Sequence, residues 1–164
     1  MKYGSLWQDI FISSKNLLEI RCFSELTSRQ KYIRFVGIKR LALAKFVLHK
    51  YAKKNPKNDI LYVVAISIAL YEEQRYPEYT LVNQAVECLK HSYNKKIVAF
   101  GNFILRKIFA DPDLFKYKLN REQIRWNAPL WWINYLKKQV DDNHLQNILV
   151  DSLLQHPPLN VRLN

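Results

Sequence analysis

Six side chains could serve as soft metal ligands, nucleophiles or bases: Cys22, Cys88, His49, His91, His144 and His156. Their spacing excludes the familiar arrangements. A structural or catalytic metal draws several ligands at short intervals, and no Cys-x-x-Cys, His-x-x-His or His-Glu-x-x-His occurs. Glu72 and Glu73 are adjacent, and adjacent helical residues point about 100° apart, so the pair reads as a solvated helix end and not as a catalytic acid and base. The three glycines, Gly4, Gly37 and Gly101, stand alone. No glycine-rich loop therefore cradles a nucleoside cofactor, and no Gly-x-Ser-x-Gly elbow presents a serine. On its own residues the chain is expected not to be an enzyme and to hold no cofactor.

Charge is more informative. The net charge of +12 comes from 26 Lys and Arg against 14 Asp and Glu, and it is unevenly placed. Between Leu26 and Asn58 stand Arg29, Lys31, Arg34, Lys39, Arg40, Lys45, Lys50, Lys53, Lys54 and Lys57 with no acid. Between Cys88 and Ala110 stand Lys90, Lys95, Lys96, Arg106 and Lys107, again with no acid. A merely solvated basic surface accounts for the total but not for two acid-free windows, so the pattern predicts a polyanion partner whose counterions are released on binding. Trp126, Trp131 and Trp132, beside Arg121 and Arg125, would suit stacking on unpaired bases. Burial is the favoured account: Trp131 or Trp132, with Leu130, Ile133 and Leu136, would dock a helix on the core.

These side chains must be positioned by helices. Isolated glycines and prolines at segment edges favour helices joined by short loops over a β-sandwich. A first helix is expected from about Leu6 to Ile20. A long one follows from a Thr27 or Ser28 cap to about Lys54, with Tyr32, Ile33, Val36, Leu43, Phe46 and Val47 near helical spacing. Ten cations spread around such a helix, so either it bends near Gly37 or only some of them face a ligand.

Asn58 or Asp59 can cap Ile60–Gln74, which is apolar nearly all round and so should be central. Its Val63, Val64, Ile66 and Ile68 would suit a strand, but its length and its amphipathic neighbours favour a helix. The apolar run Ile60–Leu70 is half the length needed to cross a bilayer, so no membrane is expected. Arg75-Tyr76-Pro77 breaks this helix, and Thr80–Tyr93 and Lys95–Ile108 form the next pair, with Asn94 as a cap. After Asp111-Pro112-Asp113, Asn127 or Ala128 caps a helix to about Val140, with Pro129 where a missing donor costs nothing. A last helix, about Asn143–Gln155, runs into Pro157-Pro158. Two distant cysteines and no signal peptide predict a reduced, cytoplasmic protein.

The tail Gln155–Asn164 has no helical period and ends on an apolar, β-prone stretch, as though the first strand of a further domain begins there. Three stretches, read in order, carry a family resemblance. Arg75-Tyr76-Pro77-Glu78-Tyr79-Thr80-Leu81-Val82-Asn83-Gln84-Ala85-Val86-Glu87 is similar to the segment of the NusB-like family in which an Arg-x-Pro turn leads into an Asn-Glu-Ala-Val-Glu helix. Phe100-Gly101-Asn102-Phe103-Ile104-Leu105-Arg106 resembles its Phe-Val-Asn-Ala-Val-Leu-Arg motif. Ala128-Pro129-Leu130-Trp131, followed by Pro157-Pro158-Leu159-Asn160-Val161-Arg162-Leu163-Asn164, resembles the N-terminal region of bacterial 16S rRNA cytosine-C5 methyltransferases of the Fmu/Sun (RsmB) type. There a Pro-Pro-x-x-Leu-Arg-Val-Asn junction leads into the catalytic part, and free-standing NusB lacks that junction.

The resemblance implies an all-α, NusB-like bundle of about seven helices with a C-terminal helical extension. Residues 1–110 would be the RNA-binding domain and 111–164 the extension and junction toward an absent methyltransferase domain. It implies an accessory role, holding 16S rRNA for methylation from S-adenosylmethionine by a domain not in this chain or by a separate methyltransferase chain. The cofactor loop and the catalytic cysteines would lie there, with no such role for Cys22 or Cys88. The alternative is a stand-alone module that binds a protein partner or acts in transcription antitermination.

Arg29, Lys31, Arg34, Lys39, Arg40, Lys95, Lys96 and Arg106 are the expected phosphate contacts, which set register and not base identity. Arg106, near a helix C-terminus, can also cap carbonyls. The chain departs from the family pattern at Gln84 (usually Glu) and Gly101 (usually Val), and in lacking a first helix that carries an arginine-rich RNA-binding motif in free-standing NusB.

Overall fold

Helix α4 (Asn58–Glu72) is the axis of the structure, a computed structural model that describes residues 5–15, 25–52, 58–117 and 121–149. Ile60 and every residue from Val63 to Leu70 are buried. The one hydroxyl among them, Ser67, donates to the Val63 carbonyl at 2.8 Å, so burial leaves no polar group stranded. A helix apolar on all sides must be enclosed on all sides. The enclosure is supplied by α1 (Leu6–Lys15), α2 (Ser28–Ile38), α3 (Leu41–Tyr51), α5 (Glu78–Lys90) and α6 (Lys95–Phe109), each of which packs against α4. Around it, α1 also touches α2 and α5, while α6 touches α5 and α3. The described residues contain no strand, so the β-branched run in α4 is helical, as its length requires.

Three shorter helices follow: α7 (Glu122–Trp126), α8 (Leu130–Lys137) and α9 (Asp142–Leu149). Leu114 and Ile124 belong to the main core. Trp126, Ala128, Ile133, Leu145 and Leu149 form a second, smaller core of their own, with Trp132, Leu136 and Val140 packed against it. The fold is an all-α bundle with a C-terminal helical extension.

Several helix ends are set by side chains that the sequence marks. Thr27 caps α2 in a reciprocal capping box with Gln30, and Asn94 accepts from the Ile97 amide to cap α6. Asp141 accepts from the His144 amide at 2.8 Å and starts α9. Gln84 has a local use: its carbonyl accepts the Trp7 amide at 2.9 Å, a donor left over in the first turn of α1. Asn58 and Asp59 lie inside α4's first turn instead of preceding it. The expected continuation of α1 toward Ile20, the residues beyond Leu149 including Pro157-Pro158, and Lys53, Lys54 and Lys57 lie outside the described residues.

Two expectations are corrected. The long helix from Thr27 is two helices, α2 and α3, broken at Lys39–Arg40, close to Gly37, where a bend was one of the expected alternatives. Neither a proline nor a glycine sits at the break. It is satisfied from a distance: the Asn127 amide donates to the Ile38 carbonyl and accepts from the Ala42 amide, both at 2.8 Å. Arg40 turns back to pair with Glu72 and donates to the Lys39 carbonyl at 3.1 Å. Asn127, in turn, does not cap α8. It is the left-handed residue (φ 49°) that ends α7, a conformation asparagine tolerates, and Pro129 takes the cap position of α8.

Between α5 and α6 the close approach is made at Gly101, where an added Cβ would overlap Leu89 Cδ1. Gly101→Val is expected to destabilise the fold by about 1–3 kcal/mol through overpacking, and Leu89→Ala in the same chain to recover part of that loss in chemical denaturation. Asn127→Ala is expected to cost about 1–3 kcal/mol, because two backbone groups lose their partner. Asn127→Gly, which adopts the same φ without strain, should cost less by the same measurement.

Candidate nucleic-acid interface

The expected phosphate contacts fall into two sets that the fold keeps apart. Arg29, Lys31, Arg34, Lys39 and Arg40 belong to α2 and its C-terminal turn, which pack on α1 and α4. Lys95, Lys96 and Arg106 belong to α6, which packs on α5, α3 and α4.

The α2 set is largely spent on the fold itself. Arg29 pairs with the buried carboxylate of Asp9 at 3.2 Å and reaches the Tyr76 hydroxyl at 3.4 Å. Asp9 also accepts from Gln30 Nε2 at 3.0 Å, so α1 and the start of α2 share one polar network. Arg40 is paired with Glu72. Arg34 is only 3% exposed and points into the bundle, so it cannot contact a phosphate without moving the helix. Lys39 lies over the Phe35 ring at 4.1 Å; burial, with Arg40 beside it, holds its ammonium below the usual lysine range. Lys31 is half-buried. Glu72 and Glu73 take separate partners, Glu73 accepting from Tyr32 and pairing with Arg75 at 3.4 Å, so they form no joint acid–base site.

The α6 set is different in kind. Gly101, Ile104, Leu105, Ile108 and Phe109 face the core. Lys95, Lys96, Ala99, Phe103, Arg106 and Lys107 are exposed, and the helix has no acidic residue. Steps of three and four from Lys96 through Ala99 and Phe103 to Arg106 and Lys107 place them along one outward face. Arg106 donates to Asn102 at 3.1 Å on its own helix, so it lies along this face and does not cap the C-terminus. Phe103, 52% exposed, stands among these cations. Lys107 and Phe103 were not among the expected contacts, although helical phase places both opposite the buried 101, 104, 105 and 108 stripe.

At its C-terminal end, α6 is tied to α3 through Asp111. Its carboxylate accepts from Tyr51, from Lys50 and the Asp113 amide at 3.0 Å, and from Tyr117 at 2.9 Å. Burial alone would raise this carboxyl, but the hydrogen bonds outweigh it and hold it well below the usual carboxylate range. Lys50 is held above the usual lysine range by its hydrogen bonds to Tyr117 and Asp111.

The tryptophan cluster divides. Trp126 is buried under Arg125, whose guanidinium lies 4.5 Å from its ring centre, and Trp132 packs on the small core. Trp131 is 70% exposed and Tyr135, one turn on, 58%. Of the two alternatives for docking this helix, Trp132 is the one that packs, with Ile133 and Leu136, while Leu130, expected beside them, is exposed.

No group of His, Cys, Asp and Glu among the described residues could hold a metal ion. Cys88 is buried, which pushes its thiol up to about 12 and leaves it un-ionised and unreactive at neutral pH. Cys22 and His156 lie outside the described residues. No helix among the described residues is long and apolar enough to cross a membrane.

These features define a basic bundle, all-helical among the described residues, in which the outward face of α6 carries four exposed cations and no acid. No known protein family matches the chain, and no curated protein matches it in sequence.

A carboxyl whose pKa is depressed by folding stabilises the protein above its unfolded value near ~3.9, and that contribution is lost as pH falls below it. Asp111→Asn is therefore expected to lower Tm at neutral pH. It should also flatten the loss of stability between about pH 4 and about pH 2, where the wild-type chain gives up the Asp111 contribution. Thermal unfolding across that range measures both effects.

Proposed function

We propose that the chain is an RNA-binding accessory domain, NusB-like in fold, which holds 16S rRNA for a cytosine-C5 methyltransferase of the RsmB type. Methyl transfer from S-adenosylmethionine belongs to a catalytic domain outside these residues. The described residues do not fit that cofactor: they contain helices only, with Gly37 and Gly101 inside helices, and so no strand-to-helix glycine turn to receive it.

The observation that carries the RNA reading is the outward face of α6, with Lys95, Lys96, Arg106 and Lys107 exposed and no acid on the helix. Lys95 and Lys96 also occupy the first turn, at the positive end of the helix dipole. Cations there oppose the helix by a few tenths of a kcal/mol each. A charge kept at the wrong end of a helix is accounted for by a polyanion that it meets.

Binding of a single-stranded RNA oligonucleotide should weaken steeply with salt, with a slope of about −0.7 in log K per log salt for each phosphate engaged. Replacing Lys95 and Lys96 by Glu is expected to weaken binding and reduce that slope, while raising Tm slightly because the helix dipole is then complemented. Salt-insensitive binding, or none at low salt, would sink the reading. Arg40→Glu is a poor probe, since it would set two carboxylates against each other at Glu72.

A protein-binding module is the second reading, and the exposed Leu130, Trp131 and Tyr135 on α8 are the observation that favours it.

A further inference from the structure

We propose that Phe103 is a base-stacking residue, so that the outward face of α6 takes single-stranded RNA. An unpaired base would lie on the Phe103 ring, with neighbouring phosphates on Lys96 to one side and on Arg106 or Lys107 to the other. This rests on α6 being the RNA face and narrows its ligand from any polyanion to a strand with free bases.

Exposure and phase carry the first step. Phe103 is half exposed, while the other aromatic residues of α6 are turned inward, Phe109 buried and Phe100 packed against the core. The helix could have placed a polar residue at position 103 without disturbing its buried stripe of Gly101, Ile104, Leu105 and Ile108. A side chain on a helix leans over the turn that precedes it, here over Ala99, whose methyl group leaves the ring uncovered.

Charge carries the second step. A protein-docking hot spot sits in an apolar, charge-depleted patch. Phe103 instead has cations on both sides along its own helix face: Lys96 two turns before it, Arg106 and Lys107 one turn after it. Those separations are about 10 Å and about 5 Å along the axis, within the reach of long flexible side chains to successive backbone phosphates. Aromatic faces among cations are how proteins hold unpaired nucleotides.

The third step excludes duplex. The bases of an A-form helix are stacked within it, and its deep, narrow major groove does not admit side chains, so a ring fixed on the side of a helix reaches no base face there. Phe103 adds affinity only where a base is free to leave its neighbours.

The test measures binding of a labelled single-stranded RNA and of the same sequence as a duplex to the full chain, as wild type and as Phe103→Ala, Phe103→Leu and Phe103→Trp, across a salt series. Phe103→Ala is expected to weaken single-strand binding roughly tenfold or more, leaving duplex affinity and the salt slope unchanged. Phe103→Leu should not restore it. Phe103→Trp should bind at least as well as wild type, with its added fluorescence quenched by the RNA. A wild-type affinity for Phe103→Ala, or full rescue by Leu, overturns stacking. If the salt slope is intact in that case, the phosphate-binding face survives and only the role of Phe103 falls. No binding by the wild-type chain removes the RNA reading and this inference together. Self-association of the wild-type chain that Phe103→Ala abolishes would assign the ring to a protein interface and overturn the proposal.

Discussion

Keeping water off α4 is the constraint on which the bundle depends. Nine of its fifteen residues are buried, and they surround the axis instead of forming a stripe. One partner helix could cover only part of such a surface, so five helices are committed to it. Each of those five gives up a single face to the core and has an outer face whose composition the fold does not dictate. The hydrophobic effect is non-directional and scales with the area covered. It specifies how many helices surround α4 and leaves the charge of their outer surfaces to be set by something else.

The basic residues show how differently that freedom is used. Around α2 the cations are drawn inward or sideways into partnerships: Arg29 with Asp9, Arg40 with Glu72, Arg34 into the interior. Removing Arg29 or Arg40 would take a guanidinium from the carboxylate of Asp9 or Glu72. On α6, Lys95, Lys96, Arg106 and Lys107 have no carboxylate partner among the described residues. Two runs that look alike as sequence therefore differ in surroundings: one is largely engaged within the fold, and the other is exposed.

What the sequence made legible was mostly local. The period of apolar residues located most of the described helices, though it merged α2 with α3 and missed α7, and the Asn94 and Thr27 caps were readable because a cap acts on the next three residues. The placement of Arg34 was open to inference as well, since it falls with Gln30, Ile33 and Gly37 on the buried stripe of α2; counting charges without helical phase hid it. The spread of cations offered a bend near Gly37 as one alternative, but what holds the break at Lys39–Arg40 was not legible in this way. Its hydrogen-bonding partner lies 85 to 89 residues further on, and no local rule names a partner at that distance. The exposure of Trp131 was hidden for a related reason. Which of two adjacent tryptophans enters a small core depends on where α7 and α9 place that core.

Asn127 also bears on the order in which the chain is made. Synthesis delivers α2 and α3 long before residue 127, and domains form as their parts emerge. Until then the Ile38 carbonyl and the Ala42 amide, which meet the Asn127 amide in the finished structure, have only water as a partner. The nascent helices around α4 can gather by hydrophobic contact while the elbow between α2 and α3 stays open. The segment that carries Asn127 closes it on arrival, so a later stretch of chain completes a joint between two earlier helices.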